Sequence, residues 1–414
     1  MAARSLEYQI RDASIRVVNW NNLRRMDWMI IGCVLLLALA GFLTLYSACR
    51  SMEIELLYRQ IGGFLIGTVL AVCLTAVDYR FLVSFAPLAY GISVLLLLAV
   101  ELTGYMAGGS ERWLELGPIR IQPSEMTKLV MVFMLTWYFH VLGRRIRKLH
   151  WFILTFVIVG VPTLLILAQP NLGTAATMAP LTLAMLWVAG CRMWHLAAVV
   201  LVGLSIFPVV YLEMKDFDPE AAPFGTVTDN PEAKVNPKSM LGLKDYQKKR
   251  IYAFLHPDYD PKGSGWHTTQ SKITIGSGGL SGKGYLQGTQ TRLNYLPEHH
   301  TDFIFSLLGE EQGFIGVCIV IALFAAFLFR GLMFARDCPE MQGTLLATGI
   351  VTVLAFHIFV NIAVTVGVMP VTGIPLPFLS YGRSFYITVM ACVGVLLSIP
   401  ARPHMRFVHR KGVS

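Results

Sequence analysis

The chain has 414 residues, 55% of them hydrophobic and only 14% charged, with a formal charge of +9 at pH 7. That balance excludes an ordinary soluble globular domain and places the chain in lipid. The positive charge does not mark a nucleic-acid partner, because Lys and Arg gather between apolar runs rather than as a patch on a polar domain.

In chain order, residues 1–27 form a polar, basic tail containing Arg4, Arg11, Arg16, Arg24 and Arg25. No cleavable leader is legible in it, so the first apolar run is expected to remain as an anchor. Runs long enough to cross a hydrocarbon core of roughly 30 Å follow at 28–49, 58–78, 81–103, 125–143, 151–169, 172–190, 194–213, 304–333, 342–368 and 383–400. The run 304–333 exceeds one span, which puts its first turn in the interface. The expected fold is therefore an all-α integral membrane protein with about ten transmembrane helices. Its divisions are a tail at 1–27, spans one to seven at 28–213, a large loop at 214–303, spans eight to ten at 304–400, and a second basic tail at 401–414.

Orientation follows from charge. Arg144, Arg145, Arg147 and Lys148 join spans four and five, and Arg402, Arg406, Arg410 and Lys411 close the chain. The positive-inside rule makes these regions and both termini cytoplasmic, so loops 50–57, 104–124, 214–303 and 369–382 face outward. The seven cysteines lie in or beside spans and outline neither a disulfide framework nor a CxxC metal site.

Spans four, six, eight and ten then all begin at the outer face, and the unusual polar motifs open them. These are Gln122-Pro-Ser-Glu-Met-Thr-Lys128, Gln169-Pro-Asn-Leu-Gly-Thr174, His299-His-Thr-Asp302 and Ser380-Tyr-Gly-Arg383. Convergent helix N-termini present free N–H groups and positive dipole ends, which suit a phosphate-bearing head group. Glu125 and Lys128, spaced i, i+3, share a helix face; they either neutralise each other or hold and orient a phosphate. His357, Asn361 and Thr365 form an i, i+4, i+8 stripe that reads as glue between helices.

Gly276-Ser-Gly-Gly-Leu-Ser-Gly-Lys-Gly284 lacks the P-loop pattern, having Ser277 and Gly284 where Gly and Ser or Thr are needed. It reads either as a turn bringing Lys283 to a substrate or as a flexible re-entrant loop. Glu298, His299, His300 and Asp302 lack zinc spacing but are compatible with a weakly held Mg²⁺ or Mn²⁺ shared with substrate phosphates. Asp302, at the edge of an apolar span, suits a general base, and also suits an N-cap for span eight.

At these motifs the chain resembles the SEDS (shape, elongation, division, sporulation) family of membrane peptidoglycan glycosyltransferases. The likeness runs from about Asp27 to Pro400. It is carried by Tyr46-Ser-Ala48, Arg112-Trp113, Gln122-Pro-Ser-Glu125 with Lys128, Gln169-Pro170 with Leu172-Gly-Thr174, Gln270-Ser271, Gly276-Ser-Gly-Gly279, Leu296-Pro-Glu298, His300-Thr-Asp-Phe-Ile-Phe305 and Leu376-Pro-Phe-Leu-Ser-Tyr-Gly382. Asp245-Tyr-Gln247, Arg250, Gly282-Lys-Gly284 and Gly288-Thr-Gln290 resemble the rod-elongation branch more than the division branch.

The resemblance implies an enzyme that polymerises lipid II, an undecaprenyl-pyrophosphate-linked disaccharide pentapeptide, into β-1,4-linked glycan strands outside the bacterial inner membrane during cell elongation. It implies Asp302 as the catalytic base, and Glu125, Lys128, Arg112, Gln270, Ser271, Lys283, Glu298, His300 and Ser380 as substrate-binding residues. It also implies a class B penicillin-binding transpeptidase and other elongation-complex proteins as partners. A lipid II flippase and a non-catalytic scaffold are the alternatives. Three departures stand out: Asn171 replaces the family's usual Asp, Arg383 replaces a Gly, and about 214–243 is inserted.

Overall fold

The structure is a computed structural model, and it describes residues 18–50, 54–103, 105–107, 110–116, 119–169, 171–215, 217–218, 239, 245–256, 264–289 and 300–402. Helices dominate. In order they are α1 Trp28–Cys49, α2 Ile54–Ala76, α3 Tyr79–Ser84, α4 Ala86–Thr103, α5 Pro123–Leu142, α6 Leu149–Ala168, α7 Leu172–Val188, α8 Met193–Lys215, α9 Asp245–Leu255, α10 Ser264–Ser277, α11 Ile304–Asp337, α12 Met341–Thr365 and α13 Arg383–Ser398. Seven of them are long and apolar enough to cross a membrane, and the apolar stretches Ala86–Leu102, Leu172–Val188 and Arg383–Ser398 are shorter.

Apolar runs and helices agree to within about a turn, except at the third run. That run breaks at Phe85 into α3 and α4, because Pro87 supplies no N–H to continue the preceding helix. A second difference lies between α4 and α5, where the chain forms a small antiparallel meander instead of a plain loop. Its strands β1 Tyr105–Ala107, β2 Ser110–Leu116 and β3 Ile119–Ile121 lie in that order, with Leu114 opposite Ile121 and Leu116 opposite Ile119. The alternation Leu-Glu-Leu and Ile-Arg-Ile has the strand period that produces this. The basic tail contains a short 3-10 helix, Trp20–Arg25, and Asn19 N donates to Ala76 O.

Helix α12 is the central post, packed by α5, α7 and α11, with most of its length buried. Helices α2 and α13 pack closely because small residues line their contact. A Cβ on Gly394 would lie 2.5 Å from Ala71 O, and one on Gly67 would lie 2.9 Å from Met390. Helix α8 stands at the opposite extreme, nearly all of it exposed, and is tied at its end to α9 by the buried pair Lys248–Glu213 (3.0 Å).

Helix α11 is not one straight rod: Gly313, with φ +66°, kinks it. A kink frees backbone groups that must find other partners in lipid. The Gly-rich segment supplies them. Lys283 N and Gly284 N donate to the carbonyls of Glu310 and Glu311, while Phe314 N and Ile315 N donate to those of Gly279 and Leu280, all between 2.9 and 3.1 Å. Only glycine allows this approach, since a Cβ on Gly278 would sit 2.0 Å from Gly309 O and one on Gly282 2.1 Å from Glu311 O. The segment is therefore a splint across the kink.

Candidate functional site

The segment 369–382, between α12 and α13, brings the starts of α5, α7, α11 and α13 together. Contacts on four sides make that convergence. On the α5 side, Lys128 Nζ donates to Glu125 Oε2 (2.8 Å) and to His357 Nε2 (2.9 Å), and the other ring nitrogen of His357 donates to Pro375 O (3.4 Å). On the α7 side, Gly173 lies against Thr372 O and Ile374, so close that a Cβ there would meet Ile374 at 2.5 Å. On the α11 side, Asn361 Nδ2 donates both to Asp302 O (2.9 Å) and to Ile374 O (2.8 Å). At α13, Ser380 Oγ donates to Thr301 O (2.6 Å) while Tyr381 N donates to His300 O (2.9 Å).

The turn His300–Phe303 is thus fixed from two directions, by Asn361 through Asp302 O and by Ser380 and Tyr381 through its preceding carbonyls. Asp302 itself is half-buried immediately before α11, with its Oδ2 facing Gly373 so that a Cβ there would stand 3.7 Å away. It is not the N-cap of α11. That position belongs to Phe303, with no side-chain cap.

Strain accompanies this arrangement. Phe378 holds φ at +66° in the turn Leu376–Ser380, a conformation costly for a bulky residue. The turn survives because Leu376 N donates to Ser380 Oγ (2.8 Å) and Phe378 is wedged against α1, where only Gly41 leaves room for Phe378 O.

Glu125 and Lys128 pair as their spacing implies, and both are almost completely buried, Lys128 being 2% exposed. Thr174 Oγ1 reaches Glu125 Oε1 at 3.4 Å, and the Lys128 ammonium stands 5.4 Å from the Phe385 ring centre, on which His357 also stacks. The cluster is a buried cation with a carboxylate, an imidazole and an aromatic face around it. Asn171 keeps the capping role open to Asp, accepting from Thr174 N at 3.2 Å, and its amide adds a bond to Ser124 Oγ at 3.3 Å. A cap needs an acceptor oxygen rather than a charge, so the departure from Asp leaves the helix start intact.

Three sequence candidates are engaged within the protein. Ser271 is fully buried, its hydroxyl joined to Ser306 Oγ (2.7 Å) and Thr365 O (2.6 Å), which ties α10 to α11 and α12. Ser380 spends its hydroxyl on Leu376 N and Thr301 O. Lys283 pairs with Glu310 at 2.6 Å and with Thr289 Oγ1 at 2.7 Å. Gln270 is buried beside Ser271, with its carbonyl bonded by Thr274 Oγ1. Glu298, His299, the side chain of Arg112 and nearly all of the 214–243 insertion lie outside the described residues. Among the described residues, no group of three or more His, Cys, Asp or Glu is gathered to hold a metal ion.

The residues that sequence reasoning undervalued are His357 and Asn361. Their stripe was legible as helix glue, but what they join is the site: His357 reaches the Lys128 cluster and Asn361 the Asp302 backbone.

A polytopic helical membrane protein with a carboxylate-bearing turn above a buried ionisable cluster is the class these features define. The chain belongs to the FtsW/RodA/SpoVE family, whose model, described as Cell cycle protein, matches residues 27–404. It is 36% identical over 386 residues to the peptidoglycan glycosyltransferase MrdB of Escherichia coli K12, covering 92% of this chain and 94% of that one. It is 34% identical to the peptidoglycan glycosyltransferase RodA of Treponema pallidum, covering 91% and 98%. Among solved structures, it matches a chain from a peptidoglycan synthase complex that coordinates polymerization and crosslinking, with TM-score 0.73, 30% identity and coverage of 91% and 97%. The rod shape determining protein RodA of Thermus thermophilus matches with TM-score 0.64 and 28% identity, covering 91% and 96%.

Proposed function

We propose that this chain is a peptidoglycan glycosyltransferase of cell elongation that polymerises lipid II at the outer face of the inner membrane, with ten spans and both termini cytoplasmic. The observation that carries the reading is the half-buried Asp302, held by its backbone at the start of an apolar helix, in a chain whose relatives are named peptidoglycan glycosyltransferases.

Asp302 acts as general base on the 4-hydroxyl of the acceptor sugar. As the proton leaves, that oxygen attacks the anomeric carbon of the donor, the bond to the lipid pyrophosphate breaks, and the proton rests on the carboxylate. An α-linked donor becomes a β-1,4 product by a single inversion, so no covalent glycosyl-enzyme is required. A partly desolvated carboxylate favours its protonated product state more than a hydrated one does, which raises its basicity. The work of Asn361, Ser380, Ser271 and His357 is positioning: they hold the turn, the strained loop and the helices that present Asp302. Lys128, buried with Glu125 and His357, offsets negative charge on the departing pyrophosphate. A class B penicillin-binding transpeptidase cross-links the new strands.

The test is polymerisation of labelled lipid II by purified protein, with and without the transpeptidase, comparing wild type with Asp302→Ala. Wild type yields glycan ladders and Asp302→Ala yields none. Ladders persisting in Asp302→Ala sink the base assignment, and their absence from a folded, partnered wild type sinks the polymerase reading.

A further inference from the structure

The base mechanism leaves two buried carboxylates without a role. Glu310 and Glu311 close the part of α11 that precedes its kink at Gly313, and they are 0% and 3% exposed. Neighbours on a helix point about 100° apart, so the two side chains serve different sides. Ser47 Oγ of α1 donates to Glu311 Oε1, which fastens this part of α11 to α1. Glu310 faces the splint instead. Its Oε1 accepts from Lys283 Nζ (2.6 Å), from Thr289 N (2.8 Å) and from Thr289 Oγ1 (3.0 Å), and Lys283 Nζ also donates to Thr289 Oγ1 (2.7 Å). The Thr289 hydroxyl thus receives one hydrogen bond and passes another on to Glu310.

These bonds close a ring of chain. Thr289 is pinned to Glu310 at one end of the helical stretch before the kink, and the turn His300–Phe303 lies at the other end, held by Asn361, Ser380 and Tyr381. Closing a ring removes conformational freedom from what it contains. Asp302 is inside it, about two helical turns before Glu310. A carboxylate suits the closing point, because hydrogen bonds to an ionised acceptor are shorter and stronger than neutral ones. Lys283 is committed to the same point: its ammonium gives two of its three N–H groups to Glu310 and Thr289, and its side chain is 26% exposed.

We infer that Glu310 is a positioning residue for Asp302, anchoring the chain that carries the Asp302 turn, and that Lys283 acts on the reaction through Glu310 rather than by touching substrate. The effect on rate rests on the polymerase reading with Asp302 as base, whereas the anchoring of the turn by Glu310 does not.

The experiment compares wild type with Glu310→Gln, Lys283→Met, the double variant carrying both, and Lys283→Arg, each as the full chain, in lipid II polymerisation with the transpeptidase and in hydrogen exchange. A small displacement of a reacting group is costly, so Glu310→Gln and Lys283→Met should each lower kcat by roughly ten- to a hundredfold with KM little changed. The double variant should lose no more than the more affected single one, because groups that act as one unit do not add, and Lys283→Arg should recover part. Melting temperatures identify any single variant that fails to fold. The double variant, which leaves neither charge buried alone, then carries the test. Exchange at the turn 300–303 should rise in the variants while α12 stays protected, whereas a general loss of structure raises both. A raised KM with kcat kept in Lys283→Met makes Lys283 a substrate contact and overturns its assigned role. Additive losses, or unchanged kcat and unchanged exchange in a folded double variant, overturn the positioning by Glu310. A wild type that makes no ladders refutes the polymerase reading alone, since exchange at the turn still decides whether Glu310 anchors it.

Discussion

Replacing Asn361 with Ala removes the donor that its Nδ2 supplies to the carbonyls of Asp302 and Ile374 at 2.9 and 2.8 Å. Asn361 is 1% exposed, so water does not readily take its place. A buried acceptor left without a donor costs about 1–3 kcal/mol, which applies to the buried Ile374 carbonyl if nothing relaxes. Relaxation is the consequential outcome, because the turn lowers that cost by moving, and Asp302 moves with it. A displacement near 1 Å at a reacting group costs on the order of a hundredfold in rate. The assay is lipid II polymerisation by the partnered enzyme, separating kcat from KM, alongside thermal unfolding. Thr365→Val is the control, since its hydroxyl bonds Asn361 O within the same stripe without reaching Asp302. The expected result is a large fall in kcat for Asn361→Ala with KM little changed, and a near wild-type rate for Thr365→Val. Equal losses in both variants, or an unchanged kcat in Asn361→Ala, would refute the positioning role.

Two further outcomes follow from buried groups. Glu125→Gln leaves Lys128 buried without its counter-charge, a loss of roughly 3–5 kcal/mol; the melting temperature should drop sharply, and pairing it with Lys128→Met should restore part of the loss. Gly282→Ala drives a Cβ to 2.1 Å from Glu311 O at a φ of +80°, so the splint across the α11 kink should detach. Hydrogen exchange of residues 279–289 and around Gly313 should then rise well above wild type, and unchanged protection there would remove the splint from the account.

The rod-like elements were legible in sequence because a membrane span announces itself by length and apolarity alone. The Glu125–Lys128 pair was legible for a similar reason, since i, i+3 spacing on a helix fixes a shared face without any knowledge of the rest of the chain. Asp302 stood out as a carboxylate at the edge of an apolar run, although the resemblance rather than its spacing made it a base. The break at Phe85 and the meander 105–121 carried weaker local signals, one proline and a few alternating residues.

Sequence by itself therefore determined the membrane-length apolar helices and the motifs that open them, both of which depend on neighbours along the chain. Tertiary structure alone decided what each polar group touches. It joined the Gly-rich segment to a kinked helix, paired Lys283 with Glu310, and made Asn361 the clamp on Asp302. The reason is physical: in an apolar interior a hydrogen-bonding group must find a partner, and that partner lies as far away in sequence as Asn361 does from Asp302, at a distance that periodicity does not encode.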